Sequence, residues 1–544
     1  VITYTNAASD EIVERLKKEI IDVSLFEVST IHSFAWKIIQ DCTSDIKNWL
    51  QINIARKIEE WEDLEIRGRK GTDASRKRIN NIEKGKERLN RLSSIKRFKY
   101  DPNGDNIDKN SLQHEEVISI CASFIGEKAL FQKVVIQKYP IILIDESQDT
   151  KKGLIEAILI LEENQQTQFS LGLFGDMMQR IYMDGKDDLV KAIPARWEML
   201  DKKMNHRSQK RIIDLINKIR FDIDSIEQKP RLEKNAGIVR LFILPTSISD
   251  KEVAEKKVKE KMAEITQDNL WIDPNHNSVK SLILEHHMAA ARLQFNSLFK
   301  SLNAVEKYRT SLKDGTLKSL NFFVKDILPI VAAHKDKDKL LITKIVSARS
   351  PLLSKMSLRE YDGVQIDLLK DVNAKVNQLL KLWDDEDIPT LREVLLCIFN
   401  TGLFEIPYPL QEIAEEITSD LVDKIEEIDD RKIVDEDLVF INAWKNTLEC
   451  TFDEVANYHK YISDQSQFTT HQGVKGLEYD RVVGILSDDE AQGDFFSYEK
   501  LFEVKDLTLT DKKNIENKKD SSIDRAKRLF YVICSRAKES LAIV

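Results

Sequence analysis

Asp145-Glu146-Ser147-Gln148-Asp149 is the most chemically loaded stretch of this 544-residue chain. Two adjacent carboxylates after an apolar run suit a magnesium–nucleotide site, in which the first holds the metal and the second polarises an attacking water. Surface turns also produce acidic pairs, so the pair alone decides nothing. Gly175-Asp176 with Gln179 has a related pattern, because a side-chain amide just past a strand end can sense a phosphate; a plain turn is the alternative. Arg207, in Asn205-His206-Arg207-Ser208, and Arg536, in Cys534-Ser535-Arg536-Ala537, stand near strand–helix junctions. Arginine stabilises the charge on the equatorial oxygens during phosphoryl transfer, although an arginine taken at random is far more often part of a surface ion pair. Thr470-His471-Gln-Gly-Val-Lys475-Gly476-Leu-Glu478 joins glycines that permit close backbone approach to a lysine and a hydroxyl suited to phosphates. By itself it also reads as a loop.

The elements around these residues have a consistent rhythm. Ile141-Ile-Leu-Ile144 is a short continuous apolar run, the pattern of a parallel strand covered on both faces, and its carboxyl end delivers Asp145 and Glu146. Phe169-Ser-Leu-Gly-Leu-Phe174 is a second such strand, ending at Gly175-Asp176. The chain opens with a strand-like Val1–Thr5, a turn at Asn6-Ala-Ala, and an amphipathic stretch with Ile12, Leu16 and Ile20 on one face. Val28–Phe34 precedes another stretch of helical spacing. Ser281-Leu-Ile-Leu284 and His286–Phe295 form a further strand and helix. Strands alternating with helices predict an α/β sheet with ligands at the strands' carboxyl ends. From about 300 to 464 the pattern is mostly helical, and α/β alternation resumes near Phe468. A second α/β domain interrupted by a helical insert explains that order. No internal repeat of fixed period is visible.

Composition narrows the classes. A chain of this length is too long for one hydrophobic core. The formal net charge is −9, so a nucleic-acid surface must be a local basic feature. Residues 51–100 supply one, with 15 Lys/Arg against 8 Asp/Glu; a solvated helical face is the other reading. Residues 412–437 do the reverse, with 12 Asp/Glu against 3 Lys/Arg, and should be repelled by phosphate. Cys42, Cys121, Cys397, Cys450 and Cys534 are scattered, odd in number and never in a CxxC, which points to a reducing cytoplasm rather than a disulfide framework, zinc site or iron–sulfur cluster. No apolar run is long enough to span a bilayer. The start at Val1 and the stop within Leu541-Ala-Ile-Val544 read as an excerpt of a longer polypeptide.

Taken in order, the motifs resemble those of superfamily 1 DNA helicases of the UvrD/Rep/PcrA group. Thr3-Tyr4-Thr5-Asn6-Ala-Ala with Glu11 and Arg15 is similar to motif Ia, and Thr30-Ile-His32-Ser-Phe34 to motif Ib. Asp145–Asp149 resembles the DExQD form of motif II, and Gly175-Asp176 with Gln179-Arg-Ile-Tyr182 resembles motif III. Asn205–Ser208, Thr470–Tyr479 and Arg528-Leu-Phe-Tyr531 through Ser535-Arg536-Ala-Lys538 resemble motifs IV, V and VI. The resemblance implies two RecA-like parallel-sheet motor domains, each with a mainly helical insert. It implies boundaries of 1–40 and 119–204 for the first motor domain, with its insert at 41–118. The second would occupy 205–300 and 465–544, with its insert at 301–464.

It also implies roles, with ATP and Mg²⁺ as cofactors and single-stranded and duplex DNA as partners. Asp145 would coordinate Mg²⁺ and Glu146 would activate water, while Gln179, Arg207 and Arg536 would contact the γ-phosphate. His206 would stack on the base, Gly476 would lie against the nucleotide, and Glu478 would lie near the ribose. Tyr4, Thr5, Asn6, His32, Phe34, Tyr182, Thr470 and His471 would line single-stranded DNA, where base–aromatic stacking is worth about 1–3 kcal/mol per base. The implied activity is ATP-driven translocation along single-stranded DNA, 3′ to 5′ by family analogy, with unwinding of duplex in repair, recombination or phage defence.

Three departures qualify the match. No GxxxxGK[ST] phosphate loop occurs in the chain; the family places it just before motif Ia, so it would precede Val1, and this stretch alone should not hydrolyse ATP. The adenine-stacking position is His206, and Asp184 stands where the family often has tryptophan. Two alternatives stay open: a catalytically inactive DNA-binding scaffold, or the motor part of a helicase–nuclease, with a nuclease as a domain or a protein partner.

Overall fold

The computed structural model describes residues 1–544 apart from 21, 102–109, 183, 187, 225, 234, 246, 247, 249, 274–277, 361–364, 385–387, 419–434, 464 and 492–495. The chain divides into two compact units. The first comprises Val1–Met204, Asn217–Lys229 and Asp524–Val532, and the second Asn205–Ile216, Pro230–Ile523 and Ile533–Val544. Each is built on one parallel sheet with helical crossovers and interrupted by a mainly helical stretch, so the fold is α/β with two RecA-like sheets.

In the first unit, β1 (Ile2–Thr3), β2 (Ser29–Thr30), β3 (Ile141–Ile144) and β4 (Ser170–Leu173) pair in the order β2-β1-β3-β4. Parallel neighbours need a crossover, and α1 (Asn6–Glu19) provides the first. The helix begins where a turn was expected, because the Thr5 hydroxyl accepts from the Ala8 amide at 3.1 Å and caps it. Thr30 does the same for α2 (Ile31–Ile39), accepting from Ser33 N at 3.3 Å. Ile31, Phe34, Ala35 and Ile39 then fall on one buried face.

Full cover of β3 on both faces does not hold. Ile142 and Ile144 are buried, but Ile141, at the first position, is 63% exposed. The edge position of β4 leaves it half-covered, with Phe174 exposed just beyond its end.

The basic stretch forms a helical hairpin, α3 (Thr43–Arg67) and α4 (Asp73–Arg91). Gly85 lets the two approach, since a Cβ there would lie 2.9 Å from Ile58 Cγ1. Part of its charge is matched locally, by Lys86 on Glu62 at 2.7 Å and Arg78 on Glu65 at 2.8 Å.

In the second unit, β5 (Ile238–Leu241), β6 (Val279–Ile283), β7 (Phe468–Thr470), β8 (Tyr479–Gly484) and β9 (Ala537–Ile543) pair in the order β7-β6-β8-β9-β5. β6 is buried along its whole length, and its Lys280 ammonium is satisfied by Ser466 O at 2.8 Å. Helices from Asn296–Asn303 to Phe452–Ile462 fill the interval between β6 and β7. Of the acidic belt at 412–437, residues 419–434 lie outside the described residues. Two helices used below are α5 (Lys210–Arg220) and α6 (Ser522–Cys534).

Candidate functional site

The acidic end of β3 is held by the sheet. Asp145 N donates to Ile2 O at 2.8 Å and Ser147 N to Phe174 O at 2.9 Å, so pairing with β1 and β4 continues past the last strand residue. Between them Glu146 adopts a left-handed backbone (φ 54°) and turns the chain into the short helical turn Ser147–Asp149. A non-glycine residue there costs on the order of 1–3 kcal/mol, a strain that tends to be kept where a side chain must be presented in one orientation. Asp145 and Glu146 are half-buried, and Gln148 Nε2 donates to Glu146 Oε2 at 2.6 Å.

Motifs II and III interlock. Asp149 is 2% exposed, and its Oδ1 accepts the Ile181 and Tyr182 amides, both at 3.3 Å. The chain after Tyr182 lies directly on motif II, since Lys152 N donates to Asp184 O at 2.8 Å. Gly185 makes that approach possible: a Cβ there would lie 2.0 Å from the Gln148 carbonyl oxygen, a backbone atom that cannot swing aside. Gly185→Ala is therefore expected to destabilise the first unit by about 1–3 kcal/mol. Urea denaturation checks this, and an unchanged midpoint would show that the loop yields freely.

Tyr4 and Tyr182 come together, with ring centroids 4.9 Å apart and planes at 25°. Thr5 and Asn6 are exposed at the amino terminus of α1. His32 is half-buried edge-on to His114 at 4.3 Å, and the Tyr100 hydroxyl meets His114 Nδ1. Burial, then the neighbouring His114 and Lys151, lowers the His32 pKa to about 4, so the ring is neutral at pH 7.

The motif III carboxylate is more heavily engaged than its sequence suggests. Asp176 accepts from Met178 N at 3.0 Å, Gln179 Nε2 at 3.4 Å, Arg220 Nη2 at 3.3 Å and Tyr531 OH at 3.1 Å. Neither Arg220 nor Tyr531 was singled out from the sequence. Tyr531 stands inside a quoted motif, and Arg220 shows only as a basic residue ending an amphipathic helix.

Within the second unit, three segments distant in sequence meet. Asn205 Oδ1 accepts from the Arg207 and Ser208 amides, both at 2.9 Å, a turn that presents Arg207. Ser208 Oγ donates to Ala537 O at 2.7 Å, fixing that turn on β9. Arg207 Nε donates to Glu478 Oε2 at 2.8 Å and its Nη1 to Ser535 O at 3.0 Å. Arg536 is 1% exposed, with Nη2 on Ser535 Oγ at 2.9 Å and Nη1 on Leu477 O at 3.3 Å. Gly476 takes the left-handed φ of 83° that the tight turn before Glu478 requires, and His206 is exposed.

Three residues expected along single-stranded DNA are interior side chains. Phe34 is 3% exposed and packs on Tyr139 at 5.5 Å, as a residue on the buried face of α2 must. Thr470 is buried at the end of β7, where its hydroxyl accepts from Gly473 N at 3.0 Å. His471 is wholly buried between Leu282 O and Tyr498 OH, each at 3.0 Å. A carbonyl accepts only, so Nε2 carries the proton and Nδ1 accepts from the phenol. Burial lowers the His471 pKa to about 3 against the opposing carbonyl contacts, leaving a neutral internal strut.

Among the described residues, no group of three or more His, Cys, Asp or Glu side chains is placed to hold a metal ion, and no helix is long and apolar enough to cross a membrane. Magnesium asks for less than such a group, because one or two carboxylates complete its shell with phosphate oxygens and water. The half-buried Asp145 at a strand's carboxyl end fits that role.

Two parallel sheets, one with an acidic strand tip and one with clustered arginines, define the RecA-like class of α/β proteins. Residues 1–183 match the UvrD/REP helicase N-terminal domain, so this part of the chain is similar to the UvrD-like superfamily 1 helicases. The chain is also similar to Gabija protein GajB of Bacillus cereus (strain HuB5-5), with 26% identity over 464 residues. That alignment covers 81% of this chain and 64% of the relative, so the chain spans less than two thirds of that protein's length.

Proposed function

We propose that this chain is the greater part of an ATP-driven translocase that moves 3′ to 5′ on single-stranded DNA and unwinds duplex. The observation that carries the reading is the convergence of Arg207, Glu478 and Arg536 within the second unit; the first unit separately carries a sheet whose tip offers Asp145 and Glu146. Asp145 holds Mg²⁺, which when bound neutralises phosphate charge, and Glu146 takes the proton of the attacking water. Gln179, Arg207 and Arg536 contact the γ-phosphate, with Glu478, Gly476 and His206 serving the ribose and base. The Arg207–Glu478 pair keeps the guanidinium beside its working position until a phosphate competes for it. Tyr4 and Tyr182, already stacked, provide the base platform, with Thr5, Asn6 and His32 along the strand.

We keep the motor-domain boundaries that the motifs imply, although residues 217–229 and 524–532 group with the first compact unit, and assign the α3–α4 hairpin to the DNA backbone. Of the processes open to such a motor we favour phage defence over general repair, and the likeness to Gabija protein GajB supports that choice.

The test is ATP hydrolysis by full-length protein with and without single-stranded DNA, followed by unwinding of duplexes bearing a 3′ or a 5′ tail. Hydrolysis stimulated by DNA, with unwinding from the 3′ tail, is expected. DNA binding without any nucleotide turnover would replace the motor with the scaffold reading.

A further inference from the structure

Asp176 lies at the centre of a buried clamp formed by groups from three separate parts of the first unit. Tyr531 is 1% exposed and Arg220 is 3% exposed. The Tyr531 hydroxyl receives Arg220 Nη1 at 3.0 Å and Gln228 Nε2 at 2.9 Å. Both of those groups are donors only, so the phenol proton is directed to Asp176 Oδ2, 3.1 Å away. Arg220 is itself fixed by a fork onto Asp224, with Nε to Oδ1 at 3.0 Å and Nη2 to Oδ2 at 2.6 Å. Its guanidinium also lies over the Tyr531 ring, 5.3 Å from the centroid.

The consequence falls on Gln179. An ionised carboxylate only accepts hydrogen bonds, so the end of the Gln179 amide that faces Asp176 must be the nitrogen. A primary amide nitrogen has two hydrogens. With one directed at Asp176, the amide cannot flip end for end without losing that contact.

We propose that Arg220 and Tyr531 are positioning residues: by immobilising Asp176 they set the Gln179 amide nitrogen-first toward the γ-phosphate. The proposal rests on the motor reading above. It also gives α5 and α6 a common purpose. By chain connectivity, α5 starts just after Arg207 and ends on Arg220, while α6 carries Tyr531 and leads into Arg536. α5 thus runs from a candidate phosphate arginine to a clamp residue, while in α6 the clamp residue stands in the last turn, just before the candidate phosphate arginine.

Tyr531→Phe removes the proton that reaches Asp176 and keeps the ring. In full-length protein with saturating single-stranded DNA, its kcat for ATP hydrolysis is expected to fall about tenfold to hundredfold. KM for ATP and DNA affinity should stay within about twofold, since the residue contacts neither ligand. Arg220→Lys should behave likewise, because lysine keeps the charge but cannot hold Asp224, Asp176 and the phenol together. Both residues act through Gln179, so Tyr531→Phe combined with Gln179→Ala should be no slower than Gln179→Ala alone. A Tyr531→Phe enzyme with wild-type kcat, or a double variant whose losses multiply, overturns the clamp. Should wild-type protein prove inert toward ATP, the motor reading fails, and the clamp is judged by hydrogen exchange over residues 176–182. Faster exchange in Tyr531→Phe than in wild type then upholds it, and identical exchange overturns it.

Discussion

Glu146→Gln in the full-length protein is expected to lower DNA-stimulated kcat by about 10²–10⁴, the range associated with losing a positioned general base. The substitution keeps size and shape, so the left-handed turn at 146 is held by the same contacts of Asp145 with Ile2 and of Ser147 with Phe174. The carboxamide oxygen still accepts from Gln148 Nε2, which spends 2.6 Å of close contact on Glu146 in the native chain. What disappears is the capacity to take a proton from water. Nucleotide binding should persist, because Asp145 is untouched. DNA binding should persist as well, because the Tyr4–Tyr182 stack is fixed through Asp149 rather than Glu146. Fluorescent-nucleotide titration and DNA-binding assays separate these effects from turnover, and undiminished hydrolysis by the variant removes Glu146 from the chemistry.

The strand tips were legible in the sequence because an apolar run of strand length followed by charge has few other uses. The parallel sheets and the helical interruptions follow from the same alternation. Side-chain exposure was not legible. Phe34, Thr470 and His471 look like a DNA-facing set when motifs are read as strings, yet helix phase and strand ends put all three inside. His471 in particular is a ring whose two nitrogens are both engaged in the interior, and nothing in the sequence around it announces Tyr498 as its partner. The Asp176 clamp was invisible for a related reason: Arg220 and Tyr531 lie far from Asp176 in sequence, and only the folded first unit gathers them. Ile141 shows the limit of reading a run as uniformly buried, because its position at the start of the strand left it in solvent. Arg207, Glu478 and Arg536 were separate candidates whose meeting required the fold of the second unit.

Arg207→Ala is expected to reduce kcat by about 10³ or more, the scale on which an arginine stabilises charge in phosphoryl transfer. The structural side effect should be small. Its side chain is 28% exposed, its ion pair with Glu478 is partly solvated, and such pairs are worth about 0–1 kcal/mol. The turn that presents it is built by Asn205 and Ser208, not by the guanidinium. Arg536 offers no such separation. At 1% exposure, with its guanidinium bonded to Leu477 O and Ser535 Oγ, its removal leaves buried acceptors unsatisfied and lowers stability together with activity. Arg207→Lys refines the argument, because lysine restores the charge without the planar fork and should recover only part of the loss. Glu478→Gln weakens the restraint on Arg207, so if the pair stores the arginine between turnovers, that variant should keep its thermal midpoint while its KM for ATP changes. An Arg207→Ala protein with near-native kcat would show that the guanidinium serves only its contacts with Glu478 and Ser535, and would remove the second unit's arginine cluster from the chemistry.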